Sequence, residues 1–341
     1  MSGVNPALQL KFFSMDEQQK DLMPEKNSDE NNFSEESSPT ELTLEQQFNP
    51  QISPIIAAFI GLIGGFFLYQ IVGGLLTLII FGLDIKNAPV NGIRLMTMAG
   101  QILFILLPAL VFTKLFYDNP AKFLRIKMPD WREVLLFTIG IAILTILLQN
   151  YLYIQNYFID MLAENIPLIN TLKDLLDRLN EYVEKTYGSL LKANNVFEAV
   201  LIVFVVAVIP ALSEEAMFRG FVQRSFEMKM KPFYAALVTA IFFGANHFNP
   251  YGLIPLIGLG LYFGYAAYKS GSIIIPVILH FLNNFTAVML YFIFGDDELI
   301  SSTVKGSVEL GSSFMMLIFM AILFSGVLFA LNKYYSNPIK T

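Results

Sequence analysis

The stretch Val196–Val222 reads VFEAVLIVFVVAVIPALSEEAMFRGFV. Fourteen consecutive residues, Ala199 through Leu212, carry no polar side chain, and then Glu214, Glu215 and Arg219 follow within six positions. A helix crossing the roughly 30 Å hydrocarbon layer of a bilayer needs about 20 mainly apolar residues. An ionisable group inside such a helix costs roughly 2.5–3.5 kcal/mol on insertion scales, so its retention points to function. The stretch therefore reads as a membrane helix with charge kept where charge is expensive.

The same test applied outward finds apolar candidates near 53–83, 93–117, 133–157, 196–222, 233–249, 252–269, 272–294 and 311–334. The fifth and sixth are short and interrupted by Gly and Pro. The expected fold is all-α, a polytopic membrane protein of about eight transmembrane helices, with seven as the alternative count.

Composition supports this reading. Of 341 residues, 55% are hydrophobic and 15% charged, against about 25% charged in soluble domains, and the mean hydropathy is +0.56. The formal charge of −6 is uneven. Residues 1–50 hold ten acids against three lysines, so the remaining 291 residues sum to +1. A soluble enzyme and a basic nucleic-acid binder are both disfavoured. Cysteine is absent, which removes disulfides, thiolate metal sites and cysteine nucleophiles. Histidine occurs only at 247 and 280.

The 1–50 segment is rich in Glu, Ser, Asn and Gln, and is expected to be a disordered tail. The transmembrane domain is expected over 51–341. Lys and Arg lie mainly in the connections after the second, fourth and sixth spans and at the C-terminus, which places both termini in the cytoplasm. The bacterial inner (cell) membrane is the expected location. One long connection, 158–195, would lie on the extracytoplasmic side. Its Leu168, Leu172, Leu175, Leu176, Leu179, Tyr182 and Val183 recur at helical spacing, as in an amphipathic helix on the membrane or capping the bundle.

Polar residues inside the spans form three pieces. In the first, Glu215 and Arg219 are four apart and share a helix face, while Glu214 is rotated about 100° away without that partner. Pro210 removes a backbone bond just upstream. The second piece ends Phe243-Gly244-Ala245-Asn246-His247, and the third is His280-Phe281-Leu282-Asn283-Asn284, whose first and last members share a face. Each alone fits a structural hydrogen bond. Together, a carboxylate and an imidazole can hold a water and take its proton. A His–Asn pair can donate to the oxyanion of an attacked carbonyl, typically about 3–4 kcal/mol per donor. Alternatively, Glu214, His247 and His280 could ligate one divalent ion such as zinc. The His-Glu-x-x-His zinc signature is missing, and no Ser or Asp stands out as part of a triad.

The pieces Glu-Glu-x-x-x-Arg at 214–219, Phe-x-x-x-His at 243–247 and His-x-x-x-Asn at 280–284 resemble the three motifs of the CAAX-protease and bacteriocin-processing (CPBP or Abi) family of intramembrane proteases. Gly258 through Gly264, Ser270-Gly271-Ser272 and Pro276 look like that family's approach to its third motif. The likeness covers roughly 195–290. It implies a cytoplasm-facing site that cleaves peptide bonds in membrane-embedded or lipid-anchored substrates. Glu214 and His247 would activate the water, His280 and Asn284 would stabilise the oxyanion, and Glu215, Arg219 and Phe243 would support them. Non-catalytic alternatives are a membrane scaffold or a bacteriocin self-immunity protein; a proton-coupled transporter is disfavoured by the lack of internal repeats.

Overall fold

A computed structural model describes residues 43–83, 88–294 and 309–336. Among these, all regular structure is helical: α1 (Leu44–Phe48), α2 (Pro54–Phe81), α3 (Val90–Phe116), α4 (Pro120–Phe123), α5 (Trp131–Asn165), α6 (Pro167–Leu191), α7 (Val196–Glu227), α8 (Pro232–Ala245), α9 (Leu253–Ser270), α10 (Ile274–Phe294) and α11 (Leu310–Tyr335). The expected spans appear as the eight helices α2, α3, α5 and α7–α11. Six of them, all except α8 and α9, are long and apolar enough to cross a membrane. The expected count of about eight is thus approximate. The 14 residues of α8 reach about 21 Å at 1.5 Å per residue, short of the hydrocarbon thickness. In α9, three glycines, three tyrosines, Lys269 and Ser270 dilute the apolar character.

Most of the acidic N-terminal stretch lies outside the described residues. Its last part is ordered: Thr43 and Gln46 close a capping box on α1, and Phe48 is buried edge-on against Phe123.

Proline shapes the two helices that frame the site. In α3 a π-helical turn, Ile102–Leu106, precedes Pro108. In α7 another, Phe204–Val208, precedes Pro210. Proline has no N–H to donate to the carbonyl four residues back, so the ladder widens and that carbonyl is released. In α7 the released group is the Val206 carbonyl, and it accepts a hydrogen bond from Asn284 Nδ2 of α10 at 2.9 Å. Pro210 thus does more than bend the helix. It exposes an anchor for a side chain of the third motif.

Two glycines let α9 approach its neighbours. A Cβ on Gly260 would stand 3.1 Å from the Phe243 ring and the Ala240 Cβ of α8, and one on Gly264 would stand 2.7 Å from Gln223 Oε1 of α7. The turn from α9 to α10 uses Gly271 in the left-handed region, φ 59°. Ser272 then donates to the Lys127 carbonyl, and Ile273 N–H donates to the Arg125 carbonyl at 3.0 Å. Arg125 itself pairs with buried Glu227 at the end of α7. On the other flank, α5 and α11 pack along one another through Phe137, Leu331 and Tyr335.

The long connection is the helix α6. Leu168, Leu172, Leu175, Leu179 and Tyr182 are exposed, while Asp177, Asn180 and Glu184 are half-buried or buried. Its C-terminal end is held by Arg94 of α3, only 1% exposed, which donates to the Leu190 carbonyl at 3.0 Å and the Lys192 carbonyl at 2.6 Å. A cation on the last carbonyls of a helix satisfies orphan acceptors and complements its dipole.

Candidate active site

The three motif pieces come together where α7, α8, α9 and α10 meet. A π-helical segment, Ala216–Val222, follows directly after the two glutamates and carries Arg219. Glu215 and Arg219 are fully buried and joined at 2.9 Å, as their spacing predicts. The arginine also donates to the Gly260 carbonyl at 3.1 Å. Its guanidinium stands 4.4 Å from the centre of the Phe243 ring and 5.3 Å from that of Phe263, within cation–π range. Phe243 therefore supports the cation directly.

The same carboxylate oxygen that holds Arg219, Glu215 Oε1, lies 2.8 Å from His280 Nδ1. The carboxylate accepts, so His280 Nδ1 carries the proton and its Nε2 faces away from Glu215. The imidazole is stacked on Phe263 at 5.4 Å, with the Phe243 ring edge-on at 6.0 Å. His280 is 3% exposed. Two aromatic walls and a carboxylate fix this ring from three directions.

His247 follows the end of α8, in the loop that joins it to α9. Its Nδ1 lies 2.7 Å from the Phe243 carbonyl. A carbonyl can only accept, so Nδ1 carries the proton and Nε2 is left with its lone pair. The Phe243 ring packs edge-on at 4.7 Å. One phenylalanine thus orients His247 with its carbonyl and holds Arg219 with its face.

Glu214, His247, His280 and Asn284 all line one cavity of about 760 Å³. Glu214 Oε2 is buried there without a hydrogen-bond partner. Asn284 fixes one amide hydrogen on Val206 and has a second hydrogen to offer. Sequence reasoning did not name Tyr69, Gln101 or Tyr187, which line the same cavity, and it read Tyr182, also in the lining, only as part of an amphipathic helix. Tyr69 and Gln101 were visible as polar residues within apolar spans. Tyr187 reaches the cavity only because α6 folds over it, and Phe263 carried no local signal.

The cavity extends from the motif residues to α6, at the end of the bundle where α5 finishes and α7 begins. The basic connections around Lys122, Lys127 and Lys229 lie at the opposite ends of those helices.

Among the described residues, no group of three His, Cys, Asp or Glu side chains is gathered so as to hold a metal ion. Glu214, His247 and His280 share a cavity without forming a ligand cluster.

Residues 196–286 match the family model described as type II CAAX prenyl endopeptidase Rce1-like. No curated protein matches the chain, and no solved structure does. The matched segment contains every motif residue described above. This is a multi-pass membrane protein whose segment 196–286 is similar to the Rce1-like CAAX endopeptidase family.

Proposed function

We propose that the chain is an intramembrane endopeptidase that hydrolyses peptide bonds of membrane-embedded or lipid-anchored substrates. The observation that carries this reading is the unpartnered, buried Glu214 Oε2 in the cavity shared with both histidines and Asn284. A buried acceptor without a partner is costly and marks a place for a bound donor. A water there donates one hydrogen to Glu214 and the other to His247 Nε2.

In the attack, the water oxygen bonds to the scissile carbonyl carbon and its proton passes to Glu214. The carbonyl oxygen becomes an oxyanion and accepts from Asn284 Nδ2–H and His280 Nε2–H. Because His280 Nδ1 already carries a proton toward Glu215, Nε2 can donate only in the imidazolium form. As the tetrahedral intermediate collapses, the C–N bond breaks and the leaving nitrogen takes the proton from Glu214. We assign both termini to the cytoplasmic side of a bacterial cell membrane from the basic connections; the cavity then lies toward the other end of the bundle, not in the cytoplasm-facing position that the resemblance implies.

The test is incubation of the purified full chain in nanodiscs with a library of membrane-associated peptides, with and without a chelator. Cleavage by the native chain that resists chelation and is lost in Glu214→Ala supports the mechanism. Undiminished cleavage by Glu214→Ala would overturn it. Cleavage lost on chelation and restored by zinc would replace the water-only mechanism with a metal-assisted one.

A further inference from the structure

We propose that Tyr251 and Asp177 are positioning residues that tie the His247 loop to α6; the catalytic consequence rests on the function proposed above, the tie itself does not. His247 and Tyr251 belong to the same short connection between α8 and α9. Tyr251 is 2% exposed, and its hydroxyl donates to Asp177 Oδ1 of α6. Its carbonyl accepts from Gln155 Nε2 of α5 at 2.9 Å. The loop is thus gripped by its side chain from one helix and by its backbone from another.

The grip on Asp177 continues outward. Lys173, one turn earlier on α6, pairs with Asp177 at 2.7 Å and with Asp160 of α5 at 3.4 Å. These three charges and the Tyr251 hydroxyl join α5, α6 and the loop. Burial pushes the Asp177 carboxyl up, but its bonds to Lys173 and Tyr251 outweigh this and hold it below the ordinary aspartate value.

The loop needs holding. Phe248, next to His247, has φ 51°, a left-handed conformation that a non-glycine residue adopts only where its surroundings impose it. Within the turn, Asn249 Oδ1 accepts from Gly252 N–H at 2.8 Å. At His247 itself, the backbone N–H donates to the Gly244 carbonyl at a long 3.3 Å. Loss of the outer tie therefore leaves the conformation that aims His247 with less to impose it.

The experiment compares Tyr251→Phe, Asp177→Ala, their combination and Asp177→Asn in the full chain in nanodiscs. Amide hydrogen exchange over 246–252 is read by mass spectrometry and needs no substrate. Faster exchange in each of Tyr251→Phe and Asp177→Ala, no further increase in the double variant, and protection restored in Asp177→Asn, which keeps an acceptor oxygen, are expected. Unchanged exchange in Tyr251→Phe, or increments that add in the double variant, would overturn the tie. In the cleavage assay, Tyr251→Phe is expected to lower kcat about 3- to 10-fold, the range of one hydrogen bond, with KM little changed. Loss of protection with kcat unaltered would overturn the role in positioning His247. A native chain that cleaves nothing would refute the proposed function while exchange still decides the tie.

Discussion

Glu214 and Glu215 are neighbours of identical chemistry, and the structure assigns them opposite responses to the same change. Substituting each singly by glutamine removes one negative charge and almost no volume. At Glu215 the charge lost is the counter-ion of Arg219, which is 1% exposed and has no other carboxylate bonded to it among the described residues. Leaving one member of a buried pair uncompensated costs about 3–5 kcal/mol, roughly two to four decades in the folding equilibrium. The His280 bond to Oε1 adds to the loss, because a carboxylate is a stronger acceptor than an amide. At Glu214 no ion pair is broken and one oxygen already lacks a partner, so the change in stability is expected to stay within about 1 kcal/mol. Activity responds differently, since glutamine cannot take a proton from water; cleavage by Glu214→Gln is expected to fall about 10²- to 10⁴-fold. The assay pairs equilibrium unfolding in mixed micelles, followed by circular dichroism, with cleavage measured on the folded fraction. A Glu215→Gln variant that unfolds at the native midpoint, beside a Glu214→Gln variant that loses 3 kcal/mol or more (about two decades), would refute the reasoning.

Three further outcomes are expected. Asn284→Ala should lower kcat about 10²- to 10³-fold with KM little changed, as for loss of an oxyanion donor; a change confined to KM would assign it to substrate binding. Gly264→Val should destabilise the bundle by about 1–3 kcal/mol in the same unfolding assay, because the added carbons meet Gln223 Oε1 and Ala236 at 2.7 and 2.9 Å. The lowered Asp177 carboxyl contributes its stabilisation fully above the unfolded value, near pH 4, and loses it as pH falls through the folded value. Protection over 246–252, taken relative to the intrinsic exchange rate at each pH, should therefore fall only below about pH 4; a fall between pH 5 and 8 would point to another group.

Much of the bundle was legible because a bilayer imposes strong rules on sequence. Runs such as Ala199–Leu212 have few ways to be satisfied other than as membrane helices. The Glu215–Arg219 pair followed from helical spacing alone. The two histidines and Asn284 stood out because polar groups are rare in such runs. The number of spans was less legible: α8 is short and α9 is diluted by glycine, tyrosine and Lys269, so six helices meet the length and apolarity that crossing requires where about eight were expected.

The sequence by itself determined which residues could do chemistry, since the cost of burying charge filters them before any fold is known. Their partnerships were decided only by tertiary structure. That His280 meets Glu215 rather than Glu214, that the Phe243 carbonyl sets the His247 tautomer, and that Pro210 releases a carbonyl for Asn284 all depend on contacts between helices distant in the chain. Helical periodicity places a side chain on a face, but the rotation and depth of each helix against its neighbours come from packing, including the close approach that Gly260 and Gly264 allow.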